Sequence, residues 1–175
     1  MRPGEGSTLI RPLEEGDYQA VRAIHVEAQR EYRGEDWNSL SSAQQEYTLY
    51  DSSEKALNFF RGSGYSFVAE RAGEVVGFVL AYRTIVAPLI WIRFVTVLPH
   101  HRRQGIASAL YREVVKTAQS KGIDEIFATI NPDNVPSIGL HEKAGFLVRD
   151  IKGAWFYLSD VGGSTPLRRQ PQGTP

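Results

Sequence analysis

The sequence predicts one α/β (α+β) domain, with helices packed on a mixed β-sheet, from three observations. Its 175 residues are the size of a single domain with a real core. Apolar residues recur at helical spacing early in the chain, switch to strand patterning after Tyr65 and return to helical spacing after Gln104. Elements follow in the order β-α-α(α)-β-β-β-α-β-α-β-β, which calls for a sheet with helices laid on it.

Residues 1–6 are polar and Gly/Pro-rich and read as a loose tail, and TLIRPL reads as the first strand. In EEGDYQAVRAIHVEAQREY, Tyr18, Val21, Ile24 (or His25) and Ala28 recur at three- and four-residue steps, the stripe of an amphipathic helix. GEDWN breaks it. SSAQQEYTLY and SSEKALNFFRG are two short helices, each opened by a serine whose hydroxyl can accept from a first-turn N–H. YSFVAERAGEVVGFVLAY reads as a β-hairpin turning at Ala72-Gly73-Glu74, and LIWIRFVTVL, set between Pro88 and Pro99, as a third long strand. Gln104 to Lys121 is the strongest helix: Ile106, Leu110, Val114 and Ala118 form one stripe, and Gly122 stops it. DEIFATI is a strand. NVPSIGLHEKA is a short helix capped by Asn134, with Pro136 tolerated in its first turn. FLVRDIKGAWFYL reads as two strands turning at Lys152-Gly153. The Gly/Pro/Gln/Arg-rich stretch 162–175 reads as a disordered tail, so the expected domain spans residues 7–159.

Composition removes several classes. Net charge is zero, so no global field draws the protein to nucleic acid or an anionic membrane. Arg102/Arg103 and Arg168-Arg169 make too small a basic patch, without interleaved aromatics, to argue for nucleic acid. No apolar run approaches the ~18 residues of a membrane span, and the first ten residues carry no signal-peptide pattern. Absence of cysteine excludes disulfides, thiol nucleophiles and thiolate metal sites and fits a cytoplasmic location. His100 and His101 are adjacent on an extended chain and point to opposite sides, with no carboxylate nearby, so no metal site is expected.

Charge is nonetheless uneven. Residues 1–60 hold eleven acidic and six basic residues, whereas 100–121 hold five basic residues against Glu113. Within the latter, LPHHRRQGIASALY sets arginines at a helix N-terminus, where the dipole disfavours cations. A strand, a glycine-containing loop and a helix start make an anion seat, because free N–H groups converge there. Gly105 lets a phosphate approach the backbone, Ala107 is small, and Arg102 and Arg103 add forked donors.

VTVLPHHRRQGIASALY resembles the acetyl-CoA-binding motif of the GNAT superfamily of N-acetyltransferases, Gln/Arg-x-x-Gly-x-Gly/Ala, with Arg102, Gly105 and Ala107 in its three fixed positions. About 30 residues on, NVPSIGLHEKAGF resembles the family's second signature, Asn-x-x-Ser/Ala-x-x-Leu-Tyr-x-x-x-Gly-Phe, and is especially similar to the phosphinothricin-acetyltransferase-type branch. The resemblance implies a mostly antiparallel sheet of about seven strands, splayed after the fourth. It implies that acetyl-CoA is the cosubstrate. Its pyrophosphate would lie on the amides of Arg103, Gln104, Gly105, Ile106, Ala107 and Ser108. Its pantetheine arm would run along Val95, Thr96 and Val97, and Asn134 would contact it.

In the second motif, Asn134, Ser137, Ile138, His141 and Ala144 share one helical face, so Ser137 and His141 fall toward the sheet and need partners. His141 stands where the family has a tyrosine usually assigned as the acid that protonates the leaving thiolate. The resemblance implies that role for His141; the residues alone also allow a histidine satisfied by a neighbouring carbonyl. The family's usual glutamate bases are absent: Ile92 and Arg93 occupy one position and Thr129 the other. Glu31 and Glu46 are the candidate bases in the early helices, with Glu35 and Asp36 beside them. The acidic N-terminal third fits an amine acceptor, and Arg93, facing the pocket, would hold an acceptor carboxylate. The expected activity is acetyl transfer to a primary amine of a small or amino-acid-like molecule. Acetylation of a protein N-terminus or lysine, and a CoA-binding domain without catalysis, are the alternatives. The resemblance also leaves room for a homodimer.

Overall fold

The alternating segments of the sequence close into one five-stranded sheet in the order β1-β2-β3-β4-β5. The computed structural model, which describes residues 7–150, forms it from β1 (Leu9–Pro12), β2 (Phe67–Arg71), β3 (Glu74–Arg83), β4 (Leu89–Val97) and β5 (Glu125–Ala128). The first four are antiparallel neighbours, and β5 pairs parallel to β4 after a helical crossover. β2 turns into β3 at Ala72 and Gly73, both with positive φ (48° and 86°), the twist a two-residue hairpin needs. Gly77 allows the close approach of β3 to β4: a Cβ there would lie 2.8 Å from the Thr96 carbonyl oxygen.

Helices cover both faces. α1 (Tyr18–Arg33), α2 (Ser42–Thr48) and α3 (Glu54–Ser63) precede the hairpin; α4 (Ile106–Ser120) and α5 (Val135–Lys143) follow β4 and β5. The serine caps are in place, with Ser41 Oγ accepting from Gln44 N and Ser53 Oγ from Ala56 N. On one face, Val21 and Ile24 of α1 and Leu57 and Phe60 of α3 pack on Val68, Phe78 and Leu80. On the other, the α4 stripe Ile106, Leu110, Val114 and Ala118 packs on Val79, Ala81, Ile90 and Ile92. Helix α4 begins two residues later than its apolar period implies, because Gln104 and Gly105 belong to the loop before it.

Two irregularities of β4 position the site. Leu80 pairs with Phe94 and Ala81 with Ile92, which leaves Arg93 unmatched in a bulge. Pairing with β5 covers only Leu89–Ile92, so among the described residues the strand from Arg93 to Val97 has no neighbour on that side. The described residues thus hold five strands rather than about seven. The expected turn at Lys152-Gly153, most of its two strands and the two expected tails lie outside the described residues, and 146–150 are not in a strand. Among the described residues no helix is long and apolar enough to cross a membrane.

His25, on α1, is buried at 1% exposure. Its Nδ1–H donates to Ser52 Oγ at 2.8 Å, Gln29 Nε2 approaches its Nε2 at 3.3 Å, and Ser52 donates on to the Leu49 carbonyl. This chain of bonds fixes the Tyr50–Ser52 3-10 turn against α1.

Candidate active site

At the end of β4 the chain makes a short 3-10 turn, Pro99–His101, and then two left-handed steps, Arg103 (φ 63°) and Gly105 (φ 79°). Successive turns of opposite hand bend a loop into a concavity lined by its own N–H groups. Among the described residues none of the amides from Arg103 to Ser108 donates a hydrogen bond, and no side chain caps α4. A Cβ on Gly105 would meet nothing within 4 Å, so the space over the amides is open. The loop and the buried Ile106 that follows therefore offer donors that only an outside acceptor can satisfy.

The loop is braced by side chains that the sequence suggested for other work. Arg102 was expected to offer its fork to a phosphate. Instead its Nε donates to the Val97 carbonyl at 2.8 Å and its Nη1 to Glu31 Oε1 at 2.6 Å, the second Glu31 oxygen taking Nη2. Arg102 thus ties the loop to α1, whereas the guanidinium of Arg103, which is exposed, has no partner among the described residues. Gln104 accepts from Arg71 and donates to the His100 carbonyl.

The same pair engages Glu31, a candidate base: both its oxygens face a guanidinium, which holds its carboxyl below the usual range. Glu46, the other candidate base, is paired in a like way. Both its oxygens take Arg22 Nη2 at 2.7 Å, and its side chain is 69% exposed.

His141 lies in a closed contact. Asn134 caps α5 by accepting from Ser137 N at 3.2 Å, which sets His141 one turn further on, facing α4 at 3% exposure. Its Nδ1–H donates to the Ser137 carbonyl at 2.7 Å, so Nε2 of the neutral ring accepts from Tyr111 Oη at 2.8 Å. The rings of Tyr111 and Phe146 stand edge-on to the imidazole at 5.3 and 5.1 Å. Burial lowers its pKa, only partly offset by the Ser137 carbonyl. The one N–H of this neutral imidazole is engaged by the Ser137 carbonyl. The sequence placed His141 on the buried face, but nothing in it singled out Tyr111, next to Leu110 of the stripe, as the partner.

Val95 and Val97 turn their side chains to the α4 face, Thr96 turns to the opposite one, and their backbone forms the open edge of β4. On that opposite face, Trp91 stacks on Tyr82 (6.1 Å between centroids) and meets Phe127 of β5 edge-on at 5.5 Å. The Arg93 guanidinium lies 5.6 Å from the centre of the Trp91 ring and bonds Asp51 Oδ2 at 3.1 Å. Asp51 escaped the sequence reading, since an aspartate just ahead of a helix cap reads as part of a turn. Tyr32, near the end of α1, reaches the loop before α5, accepting from Asn131 and donating to Asp133. Trp37 is core at 3% exposure.

Comparison with known proteins agrees with this geometry. The PaiA N-acetyltransferase of Thermoplasma acidophilum, solved with coenzyme A, superposes with a TM-score of 0.71 at 19% identity, over 84% of this chain and 94% of that one. Phosphinothricin N-acetyltransferase of Streptomyces viridochromogenes is 37% identical over 49 residues, 28% of this chain and 27% of that protein. L-2,4-Diaminobutyric acid acetyltransferase of Nocardia farcinica is 33% identical over 78 residues, 44% of this chain and 40% of that protein. The chain thus matches less than half the length of these two relatives. The class that these likenesses define is the GNAT superfamily, by fold and by motif. Within it, the chain belongs to the family described as "Protein of unknown function (DUF1999)", whose model matches residues 9–169.

Proposed function

We propose that the protein is an acetyl-CoA-dependent N-acetyltransferase that acts on a primary amine of a small or amino-acid-like molecule. The observation that carries this reading is the row of amides from Arg103 to Ser108 that donate to nothing among the described residues, opening onto an edge of β4 that no described strand pairs. The residues present fit the cosubstrate. Those amides and the Arg103 guanidinium would hold its pyrophosphate. The β4 backbone near Val95 and Val97 would pair with its pantetheine amides as a neighbouring strand does, and the Asn134 amide group would add a donor. When bound, acetyl-CoA supplies a thioester whose carbonyl carbon an amine can attack.

The chain's own part is to seat that group and to polarise it. Backbone N–H at the β4 bulge would donate to the carbonyl oxygen as charge develops there. Tyr111 and His141, closed on each other, keep the α4–α5 contact shut and supply no proton, so the leaving thiolate is left to water. The diaminobutyric acid and phosphinothricin acetyltransferases support an amino-acid-like acceptor by their names.

A second reading, a CoA-binding domain without catalysis, is favoured by the pairing of Glu31 and Glu46 and the burial of His141. Incubation with acetyl-CoA and a panel of amines, followed by free-thiol release, separates the two. Acceptor-dependent release is expected. Saturable acetyl-CoA binding without release on any amine would favour the second reading.

A further inference from the structure

We infer that Arg93 and Asp51 form the acceptor's recognition site, and that it is built for a zwitterion, a molecule bearing a carboxylate beside its primary amine. The inference rests on the acetyltransferase reading above and adds the substrate class and the proton acceptor.

Placement comes first. Arg93 is the unmatched residue of the β4 bulge and the first residue past the end of β5 pairing. It lies two residues, about 7 Å along a strand, before Val95, where the thioester would sit. Its side chain projects to the face carrying Trp91 and Asp51, opposite the α4 face that carries the anion seat. A cosubstrate seated on the α4 side and an acceptor on the Arg93 side would meet at the open edge of β4.

Rigidity comes second. A surface ion pair is ordinarily two mobile side chains in water. Here the Tyr50–Ser52 turn that carries Asp51 is fixed from three directions: Arg22 donates to the Leu49 carbonyl at 2.9 Å, Ser52 donates to the same oxygen, and buried His25 holds Ser52. The Arg93 guanidinium lies against the Trp91 ring, and the Trp91 Nε1 is buried without a hydrogen-bond acceptor among the described residues. The pair keeps 37% and 23% of its side-chain surface in contact with water, enough for a ligand to reach both members.

Chemistry comes third. A carboxylate entering here takes the Arg93 fork and releases Asp51, whose freed oxygens face the ligand's ammonium group. One internal pair becomes two pairs to the ligand, each charge-assisted. An amine without a carboxylate meets Arg93 as a like charge and finds Asp51 still engaged. Asp51 then takes the proton that the ammonium must shed, the nitrogen closes on the thioester carbon and gives its second proton to water, the C–S bond breaks and the thiolate leaves, taking a proton from water. This carboxylate replaces the glutamates missing at Ile92 and Thr129.

The test compares each of the twenty L-amino acids with its decarboxylated amine, reading thiol release from acetyl-CoA by the full chain. At least one amino acid is expected to exceed its own amine by about tenfold or more in kcat/KM. Arg93→Gln should remove that preference by raising the KM for the acid, with Arg93→Lys intermediate. Asp51→Asn should lower kcat on the acid and leave acetyl-CoA affinity unchanged, with thermal melting confirming that each variant folds. Turnover of the amines as well as the acids, or equal losses on both in Arg93→Gln, overturns this inference alone and leaves the acetyltransferase reading standing. No thiol release with any acceptor overturns both.

Discussion

His141 holds a motif position and a closed hydrogen-bonded contact in the same side chain. With Nδ1 donating to the Ser137 carbonyl and Nε2 accepting from Tyr111, the ring is part of the core. Tyr111→Phe and His141→Leu should each cost about 1–3 kcal/mol in urea unfolding, the penalty for a buried polar group left without its partner. The double variant should cost less than the sum, with a coupling of about 0.5–3 kcal/mol. Turnover per folded molecule should change little in Tyr111→Phe; a large loss of kcat with unchanged stability would return His141 to the chemistry. Glu31→Gln is a parallel case. It frees Arg102 from α1, so it should alter acetyl-CoA affinity and leave the pH profile of kcat in place, read by steady-state kinetics across pH. A base would show the reverse.

The helices and strands were legible in the sequence wherever one local force dominates. The serine caps of α2 and α3, the Asn134 cap of α5 and the α4 stripe all behave as their side chains demand. The start of α4 was less legible, because the left-handed steps at Arg103 and Gly105 depend on the loop being braced by Glu31 and Arg71, residues far away in sequence. The bulge at Arg93 was not legible at all, since nothing in LIWIRFVTVL marks one residue as unmatched. At this scale the loop itself can be tested. Gly105→Ala keeps the space open but places a Cβ at φ 79°, which should destabilise by about 1 kcal/mol and weaken acetyl-CoA binding modestly. Gly105→Asp adds a carboxylate over the phosphate amides and should abolish binding. Calorimetric titration measures both, and equal affinity in Gly105→Asp would remove the anion-seat reading.

For the whole molecule, His25 joins α1, the α2–α3 turn and the sheet into one unit. Burial, with Arg22 nearby, lowers its pKa from 6.5 to about 4. The fold therefore favours the neutral ring, and the unfolded chain binds the proton first as pH falls. Stability is full above pH 6.5, declines between 6.5 and about 4, and loses no more from this group below that. Between pH 7 and 5 the contribution is about 2 kcal/mol. His25→Gln should reduce the pH 7-to-5 loss of urea stability by about that amount; an unchanged slope would show that His25 is already charged in the fold.

The fold was readable because the apolar period reports burial directly. The site was readable only where a motif carries backbone chemistry, as at Gly105. Its side-chain roles depend on partners such as Glu31, Tyr111 and Asp51, which no spacing along the chain connects. The central claim is that the amides at the α4 N-terminus seat the phosphates of acetyl-CoA, and titration calorimetry of the full chain with coenzyme A tests it most directly. The account predicts saturable one-to-one binding that is lost in Gly105→Asp. No binding by the parent chain, or the same affinity in the variant, would contradict it.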